Sequence, residues 1–196
     1  GSAVVRLPLL STSVQCCSAA ALAVGLSASA LAATPATAQF KFAGQTLSVP
    51  AGFTVELVAG PPMVNRPISI AFDEQGRLYA TDSSGLSERA PKQFEEKPHR
   101  VMRLEDTNGD GRFDRAAEFA DKMMFPQGAL FREGSLYVAA PPHIWKLTDT
   151  DGDGTADRRE AWYDGKTLTG CANDVHGPYL GPDGWFYWTK GAFAEQ

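Results

Sequence analysis

Two segments of this chain carry residue types whose spacing suits chemistry. In the first, Asp149-x-Asp151-x-Asp153-Gly154-x-x-Asp157-x-x-Glu160 places carboxylates at alternate positions of a short acidic stretch. Ca²⁺ takes roughly six to eight oxygen ligands, and alternate carboxylates in a tight turn converge on one point. Gly154 permits the bend, Thr155 offers its carbonyl, and Glu160 stands where a bidentate ligand closes a loop of EF-hand spacing. A second copy lies upstream, with Asp106, Asn108, Asp110, Gly111 and Asp114, but Ala117 holds its closing position and Glu118 follows one step later. This copy should bind an ion more weakly. The alternative for both loops is a solvated acidic turn, because Asp, Asn and Gly are turn formers in their own right.

The other segment runs from Cys171 to Trp188 and contains Asn173, Asp174 and His176 ahead of a Gly-Pro-Asp-Gly turn and an aromatic run. Imidazole takes and returns a proton near neutral pH, so His176 is a candidate base with Asp174 as its orienting partner. The competing reading of His176 is a loop histidine bonded to neighbouring backbone. Asp183 and Gly184 read as turn residues, and Trp185, Tyr187 and Trp188 as packing or sugar-stacking aromatics. His99 and His143 have no motif around them.

These residues need elements to hold them, and the texture after Gln39 is that of short strands. Thr54 to Val58, Ile68 to Phe72 and Arg77 to Thr81 are apolar or alternating runs, the last two joined by an acidic, Gly-containing turn. Gly76-Arg77-Leu78-Tyr79-Ala80-Thr81 recurs as Gly134-Ser135-Leu136-Tyr137-Val138-Ala139 and as Gly184-Trp185-Phe186-Tyr187-Trp188-Thr189. The stretch Met102 to Gly111 recurs as Trp145 to Gly154. Repetition of four-stranded units every 40 to 50 residues or so is the signature of a propeller. The predicted fold class is therefore all-β, an incomplete β-propeller of about three blades after an N-terminal signal segment; a β-sandwich is the alternative. Residues 83–99 form a polar insertion between two strands of the first repeat.

The segment from Cys171 to Trp188, together with the opening Gly52-Phe53-Thr54-Val55-Glu56-Leu57-Val58-Ala59, resembles the soluble quinoprotein glucose/sorbosone dehydrogenases. The nearest likeness is to the bacterial putative membrane-bound dehydrogenase proteins built on that propeller. The resemblance implies oxidation of a sugar or other alcohol by pyrroloquinoline quinone (PQQ). In it His176 is the base, Asp174 its partner, and Asn173 lies near the cofactor. It also implies an electron acceptor such as a c-type cytochrome. The alternative is a non-catalytic, calcium-stabilised propeller that binds carbohydrate or protein. The sequence departs from the family pattern in the short spacing from His176 to Asp183 and in Ala192 after Gly191.

Residues 1–38 read as a secretion signal: Arg6 is the only charge before Lys41, Ala19 to Ala33 is apolar and alanine-rich, and Ala36-Thr37-Ala38 is a small-residue exit. The alternatives are an uncleaved anchor or a buried helix. Residues 39–52 read as a lead-in and 53–196 as the propeller part. Export to the periplasm or cell surface is expected, without firm membrane insertion once the signal is cleaved. Of Cys16, Cys17 and Cys171 only the last would remain, as a buried apolar group or a reactive thiol. The 196 residues carry a formal charge of −5, which argues against a nucleic-acid partner.

Overall fold

The computed structural model describes residues 4–6, 36–42, 44–170 and 174–191. The chain divides into two units, residues 5–57 and the larger 58–196 with the first four residues. After β1 (Val4–Arg6), the smaller unit holds the hairpin of β2 (Thr37–Phe42) and β3 (Gln45–Pro50), paired from Thr37↔Pro50 to Phe42↔Gln45. The hairpin begins inside the stretch whose sequence reads as a signal and fills the stretch that reads as a lead-in. No helix among the described residues is long and apolar enough to cross a membrane.

The larger unit is all-β. After β4 (Glu56–Ala59), the strands β5 (Pro67–Phe72), β6 (Leu78–Asp82), β7 (His99–Glu105) and β8 (Arg115–Met123) form one antiparallel sheet. β9 (Gly128–Arg132), β10 (Ser135–Ala140), β11 (His143–Thr148) and β12 (Arg158–Asp164) form a second. β13 (Val175–Leu180) and β14 (Phe186–Lys190) pair as a hairpin. Both four-stranded sheets are paired in chain order, each strand beside the next. The first strands are neighbours in turn, β5 against β9 and β9 against β13.

The core explains why the second strands are so apolar. Every residue of β6 is buried, so both faces of the first sheet are covered at this strand. Val58, Val64, Leu78, Met102 and Leu104 pack on one side. On the other, Tyr79, Val101 and Phe119 meet Leu136, Val138 and Leu147 of the second sheet. Ala139, Ile144 and Val175 join the second sheet to β13. Each such leucine or isoleucine buried from water contributes roughly 1.5–3 kcal/mol. At the closest approach of β9 and β13, Gly128 lies against the Gly177 backbone with no space for a side chain.

Antiparallel pairing sorts the connections into two ends. One end carries the turns after the first and third strands, which include both acidic loops. The opposite end carries the connection from β6 to β7, with the short helix α1 (Ala90–Glu96), together with those from β8 to β9, β10 to β11 and β12 to β13. Helix α1 opens on Ala90-Pro91, whose fixed φ suits a first turn, and stops at Lys97 in the left-handed region. The sequence shows no sustained helical period there because these seven residues make only about two turns, too few for an apolar stripe to repeat.

Candidate functional site

The two acidic loops connect β7 to β8 and β11 to β12, and they share one hydrogen-bond plan. Asp106 accepts from the backbone N–H groups of Gly109 and Gly111, both at 2.7 Å; Asp149 accepts from Gly152 at 2.7 Å and Gly154 at 2.9 Å. Asn108 and Asp151 each accept the N–H two residues on, as do Asp110 and Asp153. Asp114 and Asp157 reach back to the backbone N–H and hydroxyl of Thr107 and Thr150. Those bonds favour the ionised form: the Thr107 N–H first, and the Thr150 hydroxyl first, hold Asp114 and Asp157 below the usual carboxylate range.

Carboxylate oxygens of Asp149, Asp151 and Asp153 lie within 4.8 Å of one another, close enough to share one calcium ion. Their donor chemistry, all hard oxygen, fits that ion. Asp157 is engaged with Thr150. Glu160 lies on β12 with its carboxylate 2.7 Å from Arg158, outside the group of three. In the first loop Glu118 points to Arg100 at 3.6 Å. Each loop also grips the strand before its own sheet: Phe113 N–H donates to the Val58 carbonyl, and Ala156 N–H to the Phe119 carbonyl at 2.7 Å.

Asp174 and His176 lie at the opposite end, at the start of β13. Asp174 is 1% exposed. Its Oδ2 accepts from Thr169 N–H at 2.8 Å, while its buried Oδ1 has no hydrogen-bond partner among the described residues. A buried carboxylate oxygen without a donor costs about 1–3 kcal/mol or more, so this oxygen marks a place where a ligand hydroxyl or proton donor would be welcome. His176 is half-buried and sits across from Thr189. The register then slips by one residue between His176 and Tyr179, at Gly177 (φ 99). Such a bulge re-aims the side chains beside it. Asn173 and Cys171 lie outside the described residues.

Sequence reasoning missed the buried polar groups. His99 is 2% exposed, and its Nδ1 accepts from Ser84 N–H at 3.1 Å. Nε2 must then carry the proton, which it donates to Gln93 Oε1 at 2.7 Å; Gln93 in turn donates to the Glu88 carbonyl. Burial holds this imidazole below its ordinary pKa, so it pins the insertion as a neutral group. Arg103, also buried, lies 2.6 Å from Glu105 and reaches Asp149 of the second acidic loop at 3.3 Å, with no partner for its Nε among the described residues. Asp73, its side chain fully buried, accepts from Arg77 Nε at 2.5 Å and from the Tyr79 hydroxyl at 3.3 Å. Burial pushes the Tyr79 phenol up to about 12. Arg103 and His99 escaped notice because Asp149 lies 46 residues and Ser84 15 residues away along the chain; Asp73 bonds residues four and six positions on, and only its burial is invisible locally.

No curated protein and no solved structure matches the chain. Residues 40–196 match the family model described as "Domain of unknown function (DUF7133)", a span that takes in the second strand-forming half of the smaller unit, both acidic loops and the Asp174–His176 segment. The chain belongs to this DUF7133 family.

Proposed function

We propose that the sheets are successive blades of a β-propeller, and that the end bearing Asp174 and His176 binds a sugar or other alcohol and takes its hydroxyl proton, as in a dehydrogenase. The observation that carries the reading is the buried Asp174 carboxylate, whose Oδ1 has no hydrogen-bond partner among the described residues, two residues from a half-buried histidine at a bulge. The blade arrangement draws support from first strands that neighbour one another and from apolar clusters between consecutive sheets. In this reading His176 accepts the hydroxyl proton, the hydride on carbon passes to a two-electron acceptor supplied from outside these residues, and Asp174 holds the substrate or the imidazole. A positioned base of this kind contributes about 10²–10⁴-fold to rate.

PQQ, which the resemblance implies, fits this segment poorly. It carries three carboxylates, whereas the cation placed closest by strand register is Lys190, opposite Val175, and Asp174 adds a further negative charge. Calcium fits better, with Asp149, Asp151 and Asp153 as its holders; it would neutralise their charge and stiffen the turn between β11 and β12. A second reading, a non-catalytic propeller that binds carbohydrate or protein, is favoured by Trp185 and Tyr187, exposed at 72% and 52% on one hairpin.

The test uses full-length protein and a panel of sugars and alcohols with an artificial electron acceptor, with and without added quinone and calcium. Substrate-dependent reduction that falls about 100-fold or more in His176→Ala, with substrate binding retained, supports the dehydrogenase reading. Reduction by none of the panel, or reduction unchanged in the variant, leaves the binding module.

A further inference from the structure

A cleft of about 350 Å³ opens beside the seam of the two four-stranded sheets, and none of the residues discussed above as a base or metal ligand lines it. Its floor is apolar, with Met123, Leu147 and the half-buried ring of Trp145. Lys97, Lys122 and Arg159 line it as well, and the lining includes no carboxylate. That is unexpected in a chain of net charge −5. The volume lies at the small end of the range for ligand sites, which pair apolar walls with a few converging polar groups.

Two of those cations sit at left-handed backbone positions. Lys97 ends helix α1 at φ 47, and Lys122 has φ 51 where the register of β7 and β8 slips between His99↔Met123 and Val101↔Ala120. Left-handed lysines cost of order 1–3 kcal/mol each and persist where surrounding structure enforces them, commonly at ligand sites. Arg159 is already oriented, donating to the Asp121 carbonyl at 2.8 Å and to Asp121 Oδ1 at 2.7 Å. Lys122 lies 3.9 Å from the same carboxylate, and Lys97 lies over the Phe94 ring at 5.6 Å. That ion pair of Lys122 with Asp121 is long and open to solvent, and no ion pair of Lys97 is found among the described residues.

We infer that this cleft binds a small organic anion with a flat apolar body, the ring system lying on Trp145 and the methionine floor and the anionic group facing Lys97 and Lys122. The site is independent of the Asp174–His176 reading and stands or falls separately. Calorimetric titration of the protein with 2-naphthoate and with its neutral isostere 2-naphthamide tests it directly. The expected result is naphthoate binding at least about tenfold tighter than the amide, since a charge-assisted contact to a cation is worth roughly that factor or more. The preference should shrink at high salt. In Lys97→Gln/Lys122→Gln, naphthoate affinity should fall about tenfold while amide affinity stays put. Equal affinity for the two probes, no naphthoate heat at millimolar concentration, or an unchanged affinity in the double variant would overturn the inference. The wild-type comparison of the two probes decides the matter even where the variant fails to fold.

Discussion

Replacing Gly128 by alanine is the sharpest perturbation that the packing allows. A Cβ added there would press into the Gly177 carbonyl oxygen and stand 2.9 Å from its carbonyl carbon and 3.0 Å from its nitrogen. Carbon atoms in contact prefer about 3.5–4.0 Å, so β9 and β13 would have to part by roughly half an ångström or more. Both partners of the clash are backbone, so no side chain can swing away. Overpacking of this kind costs about 1–3 kcal/mol, and the rigid contact puts this case at the upper limit. For a unit of this size about 3 kcal/mol corresponds to a melting point lower by roughly 6–12 °C. Gly60→Ala supplies the contrast, because its added Cβ meets nothing within 4 Å and its φ lies outside the left-handed region. That change should be neutral or stabilise by up to about 1 kcal/mol through the unfolded chain. Urea unfolding and thermal melts of the two variants beside the parent provide the measurement. Equal stability of Gly128→Ala and the parent would refute the close approach of the two first strands.

Three further outcomes are expected. Arg103→Met should destabilise by about 1–3 kcal/mol in urea titrations, because it removes a buried cation from Glu105 and Asp149, which keep Arg115 and the Gly152 and Gly154 N–H groups; no measurable loss would mean the ion pairs are not buried as described. His99 has its folded pKa below the ordinary 6.5, so its contribution is complete above about that pH and is lost as pH falls from there toward the lowered value. Hydrogen-exchange protection factors across residues 83–98, corrected for the intrinsic rate at each pH, should therefore fall between pH 8 and pH 5.5, and factors that stay constant would contradict it. Calcium at about one hundred times its dissociation constant should add near 2.7 kcal/mol of stability. That gain should vanish in Asp151→Ala/Asp153→Ala, whereas superimposable melts with calcium and with chelator would rule out the second acidic loop as a site.

The repeats that open at Gly76, Gly134 and Gly184 each begin at a turn and run into the second strand of a hairpin, β6, β10 and β14. This was legible because turn residues and alternation are local properties. The equivalence of the acidic loops was legible for the same reason, since each carboxylate bonds backbone only two to seven residues away. Burial of charge was not. Arg103 and Asp149 are 46 residues apart, and the same Arg-Leu pair would read as a solvated strand end without its partner. His99 looked featureless because its tautomer is fixed by Ser84 and Gln93, which a polar insertion brings back to it. The cleft eluded the sequence too, since Lys97, Lys122 and Arg159 come from three elements and meet only across two sheets.

The backbone donors of Phe113 and Ala156 bear on how this protein could be cut and rejoined. Each satisfies a carbonyl on a strand that precedes its own sheet, so the natural foldon is a sheet plus the loop of its successor. Splitting the chain in the connection between β8 and β9 would orphan the Phe119 carbonyl and strip Arg103 of Asp149 in one stroke. The tight Glu133-Gly134 turn offers no escape, since a cut there also falls between Phe119 and Asp149; only a piece that runs past Ala156 keeps both attachments whole.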